Sequence, residues 1–263
     1  MGTLSLLIFE IRSLWLKYGL LLLIVPVAFV GPYLLVSPPP YREGWVEGLE
    51  QDLSFYIGFL QIFVMPIIFV YVCAYEVDPE RMALFLTRPV RKWQLLLARF
   101  SVLFILFSVS TAIANYLFFY AWISIYQAYY PALGWSDVVF PANTMLLMLL
   151  TLYIIGCAYS TLSVMISPVE MRKASPIVAA VVYIFVNLVY VFQSHNSFSA
   201  INLIAPLYYS DRVYAWMLSR LTGTPQEPLG PIGDPFTAVF VILVYFAALL
   251  LVSILAFERR DVI

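Results

Sequence analysis

Residues 100–136, FSVLFILFSVSTAIANYLFFYAWISIYQAYYPALGWS, contain no Asp, Glu, Lys or Arg. A helix needs about 20 apolar residues to cross the hydrocarbon core of a bilayer, and this stretch exceeds that length. Five more charge-free stretches flank it, at 18–41, 53–75, 138–169, 174–210 and 235–257. The chain is 63% hydrophobic and 11% charged, against roughly 25% charged residues in a soluble domain. The sequence therefore predicts an all-α integral membrane protein, residues 1–263 forming a single transmembrane domain. Six spans are expected at about 19–36, 53–75, 94–126, 142–167, 176–193 and 236–257. Six spans and their connections use up the length and leave no room for a separate soluble catalytic domain.

Basic residues sort by side. Numbering the connections alternately puts Arg12, Lys17, Arg81, Arg88, Arg91, Lys92, Arg99, Arg172, Lys173, Arg259 and Arg260 on one side, and only Arg42, Arg212 and Arg220 on the other. Acidic residues divide almost evenly. Orientation follows Lys and Arg rather than net charge, so both termini are expected in the cytoplasm of a multi-pass cell-membrane protein.

Around the spans, residues 3–18 read as an amphipathic interfacial helix. Leu4, Leu7, Ile8, Ile11, Leu14 and Trp15 recur at helical spacing. The alternative is a cytoplasmic extension of the first span. An acidic outer loop is expected at 37–52, and the turn-rich Ser136–Asn143 stretch is expected to precede span four. Span five opens with Ser175 as N-cap and Pro176 at the first helical position. The outer segment 194–235 begins apolar and aromatic, then becomes Gly/Pro-rich. It predicts short helices in the outer leaflet followed by stiff coil.

Polar residues inside spans are costly in lipid and face protein or water. Ser108, Thr111, Asn115 and Trp122 share a helical face, as do Tyr183, Asn187 and Tyr190, and Gln61 lies in span two. Gln61, Ser108, Thr111, Asn115, Tyr183, Asn187 and Tyr190 are the candidate substrate path, with helix–helix hydrogen bonding as the alternative role. Gly156, Ser160, Ser163 and Ser167 form a small-residue stripe suited to close helix packing. Cys73 and Cys157 fall inside spans, and the single His195 has no companion ligand. These residues offer neither a metal site nor a catalytic set, so no catalytic residue is expected. The spans also lack the ionisable residue that ion-driven transporters usually keep in the membrane.

The cytoplasmic segment 76–93 carries the most legible function. In the helix start Glu76-Val77-Asp78-Pro79-Glu80-Arg81, Asp78 can cap, Pro79 suits the first turn and Glu80 complements the helix dipole. Met82, Phe85 and Leu86 share a face beside Arg81. Thr87-Arg88-Pro89 then breaks the helix. A short capped helix with an apolar face suits docking to a cytoplasmic partner. A basic loop binding lipid phosphates is the alternative.

Three stretches resemble the permease subunits of ATP-binding-cassette (ABC) transporters of the type-2 exporter class. They are Glu76-x-Asp78 … Leu86-Thr87-Arg88-Pro89-Val90-Arg91 … Leu95-Leu96-Leu97-Ala98-Arg99, the link Leu162-Ser163 … Arg172-Lys173-Ala174, and the ending Phe257-Glu258-Arg259-Arg260-Asp261-Val262. Glu80-Arg81 stands where members of that family usually carry Gly-Thr. The resemblance implies a permease paired with a second permease subunit, the same or homologous, and with two cytoplasmic ATPase subunits. The coupling segment Glu76, Asp78, Pro79, Glu80, Arg81, Met82, Phe85, Leu86 and Arg88 would dock on the ATPase. ATP and magnesium would bind that partner, because this sequence has no Gly-x-x-x-x-Gly-Lys-Ser/Thr phosphate loop and binds no cofactor of its own. Membrane lipid is the remaining expected partner, and nucleic acid is not one. The expected cargo is lipophilic or amphipathic. A non-transport scaffold or channel subunit that recruits a cytoplasmic partner is the alternative.

Overall fold

The computed structural model describes residues 8, 11–16, 19, 44–59, 91–171, 174–193, 200–224 and 234–259. Six long helices lie among them: α1 Trp45–Phe59, α2 Lys92–Tyr126, α3 Trp135–Ile166, α4 Ser175–Gln193, α5 Pro206–Thr222 and α6 Pro235–Glu258. Short 3-10 turns at Val169–Met171 and Ala200–Leu203 precede α4 and α5. Four helices, α2 (from Trp93), α3, α4 and α6, are long and apolar enough to cross a membrane. Among the described residues this is an all-helical membrane protein.

The helix ends follow from local chemistry. Asp234 caps α6 by accepting from the Thr237 amide at 2.8 Å and its hydroxyl at 3.0 Å, with Pro235 in the first turn. Pro168 stops α3 just after its last amide bond, Ser167 N to Ser163 O at 3.1 Å. Gly223 ends α5 with φ +71, the left-handed conformation that a side chain disfavours.

α3 is the hub and packs on α2, α4, α5 and α6. Its most apolar stretch is 61% buried, whereas that of α6 is 17% buried. α6 therefore turns most of its surface outward, where lipid replaces protein as the apolar neighbour. Leu95, Leu96 and Ala98 of α2 meet Met165 of α3 and Phe257 of α6 at one end of the bundle. Arg91, Arg99 and Arg259 lie toward this basic end, and Arg99 is buried. At the opposite end, Phe140, Trp216 and Phe236 form edge-on ring pairs joining α3, α5 and α6.

Several boundaries differ from the sequence expectation. α1 begins at Trp45, inside the expected 37–52 loop. Trp45, Leu49, Asp52 and Tyr56 fall on one packed face, while Glu47 and Glu50 point outward. α3 begins at Trp135, so the Ser136–Asn143 stretch is helix with Pro141 inside it. Asp137 caps that start by accepting from the Gly134 amide at 2.8 Å. Pro141 lies only two turns in, so the helix loses a single backbone bond. In α4 the carbonyl of Ala174 accepts the first helical bond from the Val178 amide at 3.1 Å, which makes Ser175 helical rather than the cap. The described residues of the outer segment hold the short 3-10 helix Ala200–Leu203 and a longer helix of 17 residues, α5. Its buried Tyr208, Tyr209, Val213 and Met217 face the bundle. Near the N-terminus, residues 11–16 are helical. Leu14 is in the core and Ile11 packs against it, while Ile8 and Trp15 are exposed. Spans one and two lie mostly outside the described residues.

Candidate functional site

α2 carries the polar face expected at its centre. Thr111, Asn115 and Trp122 are buried, and Ser108 is half-buried with its hydroxyl donating to the Phe104 carbonyl at 2.8 Å. The Asn115 amide donates to the Ala142 carbonyl at 2.6 Å, tying α2 to α3 beside Pro141. Its other atom, Oδ1, has no hydrogen-bond partner among the described residues, and neither do Thr111 Oγ1, Ser110 Oγ and the Tyr56 hydroxyl. Tyr56 stacks on Phe118 at 4.3 Å, and Phe107 stacks on Tyr153 at 5.2 Å. Thr111 lies between Phe107 and Phe118 along this face. Tyr153, Tyr183 and Cys157 belong to the same buried cluster. Buried polar groups are normally paired, and in lipid each unpaired one is costly. These groups form a polar seam inside an otherwise apolar bundle.

Asn187 and Tyr190 make hydrogen bonds between helices, the alternative role expected for polar residues in spans. Asn187 donates to the Tyr183 carbonyl at 2.9 Å, and its Oδ1 accepts from the Leu207 amide at 3.1 Å. Leu207 is in the first turn of α5, where amides lack intrahelical partners, so Asn187 caps α5 from α4. The Tyr190 hydroxyl pairs with Asp211 and Arg212 of α5, and its ring meets Tyr208 edge-on at 5.9 Å. Asn187 and Tyr190 thus anchor α5, while Thr111, Asn115 and Tyr183 remain interior polar groups. Of the small-residue stripe, Ser160 is buried, but Ser163 and Ser167 line an open groove.

Sequence reasoning missed Asp52. Its side chain is 4% exposed and accepts from Trp122 Nε1 at 3.0 Å and from the Tyr126 hydroxyl at 3.3 Å. The Trp122 and Tyr126 rings stack at 4.1 Å. Gly48 makes this approach possible: a Cβ there would lie 2.6 Å from the Tyr126 hydroxyl oxygen. Tyr214 of α5 holds the same helix by donating to the Glu50 carbonyl at 3.0 Å. Burial pushes the Asp211 carboxyl up to about 6, with Tyr190 and Arg212 opposing.

No three His, Cys, Asp or Glu among the described residues gather to hold a metal ion. Gln61 and the coupling residues Glu76, Asp78, Pro79, Glu80, Arg81, Met82, Phe85, Leu86 and Arg88 lie outside the described residues.

A family model described as "Protein of unknown function (DUF2705)" matches residues 13–263. The chain belongs to the DUF2705 family. No curated protein matches this DUF2705 member. The match begins at residue 13 and takes in every long helix described above, so the bundle and its polar seam lie within the family's domain.

Proposed function

We propose that this chain is the membrane-spanning permease subunit of an ATP-driven exporter of the ABC class. In this reading it has six spans and cytoplasmic termini, sits in the cell membrane, and works as a pair with a like or homologous subunit. Two ATPase subunits dock on the basic side. ATP binding closes the ATPases, the coupling segment transmits that motion, and the two permeases rearrange to expel a lipophilic or amphipathic cargo. The observation that carries the reading is the segment Glu76–Arg99. There the sequence predicts a capped turn with Met82, Phe85 and Leu86 on one face, followed by Pro89-Val90-Arg91-Lys92 and the apolar run of the next span. Four long apolar helices support the membrane part of the reading. The seam of Thr111, Asn115, Tyr56 and Tyr183 supplies polar contacts on the cargo's route.

The double variant Met82→Asp, Phe85→Asp tests the docking role. Two carboxylates on the expected apolar face should abolish co-purification of the ATPase and leave membrane insertion intact, because both positions lie outside the spans expected from the sequence. A double variant that retains its ATPase in full would remove the coupling segment from the mechanism.

A further inference from the structure

We propose that a groove between α3 and α4 holds one acyl chain of a membrane phospholipid. This does not rest on the permease reading. The groove has a volume of about 460 Å³, within the range of built ligand sites. Its walls are apolar. Ile166 on α3 and Val178 and Val182 on α4 form its rim and are exposed, so it opens sideways onto the surface that these spans turn to the bilayer. Three of the hydroxyls along it are satisfied within the protein. Ser163 donates to the Ser160 carbonyl at 2.8 Å and Ser167 to the Ser163 carbonyl at 2.6 Å, while the Tyr159 hydroxyl pairs with that of Tyr245.

The shape selects the occupant. Along α4 the groove runs from Ser175 to Val186, which is roughly 17 Å at about 1.5 Å per residue. One leaflet of a hydrocarbon core about 30 Å thick is about 15 Å deep. Ile204 and Pro206 close the far end, because Asn187 pins the first turn of α5 at that level. The mouth, at Ser167 and Ser175, lies toward the basic end of the bundle. A pocket open at a membrane surface and roofed at mid-depth receives a chain from one leaflet only. A groove of one-leaflet length with an apolar lining that opens sideways fits a single hydrocarbon chain lying along α4.

The test is native mass spectrometry of the full chain, extracted in mild detergent from vesicles of dioleoyl phosphatidylcholine and dioleoyl phosphatidylglycerol. The wild type should retain one phospholipid per chain. Ala179→Trp with Val182→Trp fills the groove and should reduce the retained fraction at least fivefold. Leu117→Trp, on the exposed face of α2, should leave it unchanged. Ser167→Leu, a smaller block at the mouth, gives the same reading should the double variant fail to fold. Equal lipid retention by wild type and filled variants overturns the proposal. So does a lipid-free wild-type dimer that the filled variant splits into monomers, which would assign the groove to a second copy.

Discussion

Asp52→Ala should lower the unfolding temperature of the detergent-solubilised protein more than any other single truncation at the end of the bundle opposite Arg91. The carboxylate is 4% exposed and accepts from both Trp122 and Tyr126. Alanine strands an indole N–H and a phenol O–H in a packed aromatic stack. A buried polar group left without its partner costs about 1–3 kcal/mol, and each kcal/mol moves the midpoint of a chain of this size by roughly 2–4 °C. For two stranded groups the combined loss should be roughly 4–24 °C. Asp52→Asn keeps an acceptor oxygen and should lose less than half as much. Thermal unfolding followed by intrinsic Trp fluorescence would show this, because Trp45 and Trp122 pack edge-on at 6.4 Å beside the carboxylate. Equal midpoints for wild type and Asp52→Ala would mean that α1 is held by its apolar face and by Tyr214, and not by this carboxylate.

How much of this was legible depended on where the partner of each residue lies. α6 could be read almost to the residue, since Pro235 and Glu258 bracket an uncharged run. α2 ends at Tyr126 as expected, but it starts at Lys92 and takes in Arg99, ahead of the uncharged run 100–136. The start of α1 could not, because four acidic residues between 43 and 52 look like a solvated loop. Their helical phase becomes visible only once Trp45, Leu49 and Tyr56 are seen to share the packed face with Asp52. Thr111, Asn115 and Tyr183 were legible as interior positions from spacing alone. Asp52 was not, because its donors are 70 and 74 residues away. Asn187 was legible as polar and buried, but its capping role requires α5 to fold back on α4 at Leu207. The coupling segment was legible only as sequence, and its case rests there.

Asp211→Asn should stabilise the protein at pH 7–8 and leave it unchanged at pH 4. Burial holds the Asp211 carboxyl up to about 6, against an ordinary value of 3.8; the Tyr190 hydroxyl and Arg212 pull it back only partly. Between about pH 4 and 6 the folded chain therefore keeps a proton that the unfolded chain has released. Stability is lost wherever the folded state binds more protons as pH rises, so the wild type should weaken through that window and level off above it. Asparagine keeps the contact with Tyr190 and has no charge to bury. The gain at neutral pH should be on the order of 1–2 kcal/mol, below the full equivalent of the shift because the side chain is only partly enclosed. Unfolding midpoints from pH 4 to 8 would separate the two proteins. A variant that tracks the wild type at every pH would show that Asp211 is not the titrating group at the joint of α4 and α5.

On the proposed function this chain works with a separate ATPase. The most direct measurement is to purify the tagged full-length chain from its native membrane in mild detergent, identify what accompanies it, and assay the eluate for ATP hydrolysis. The account predicts a stoichiometric ATPase carrying a Gly-x-x-x-x-Gly-Lys-Ser/Thr phosphate loop, with hydrolysis that is lost in the Met82→Asp, Phe85→Asp variant. A clean preparation of this chain alone, without hydrolysis, would contradict the account.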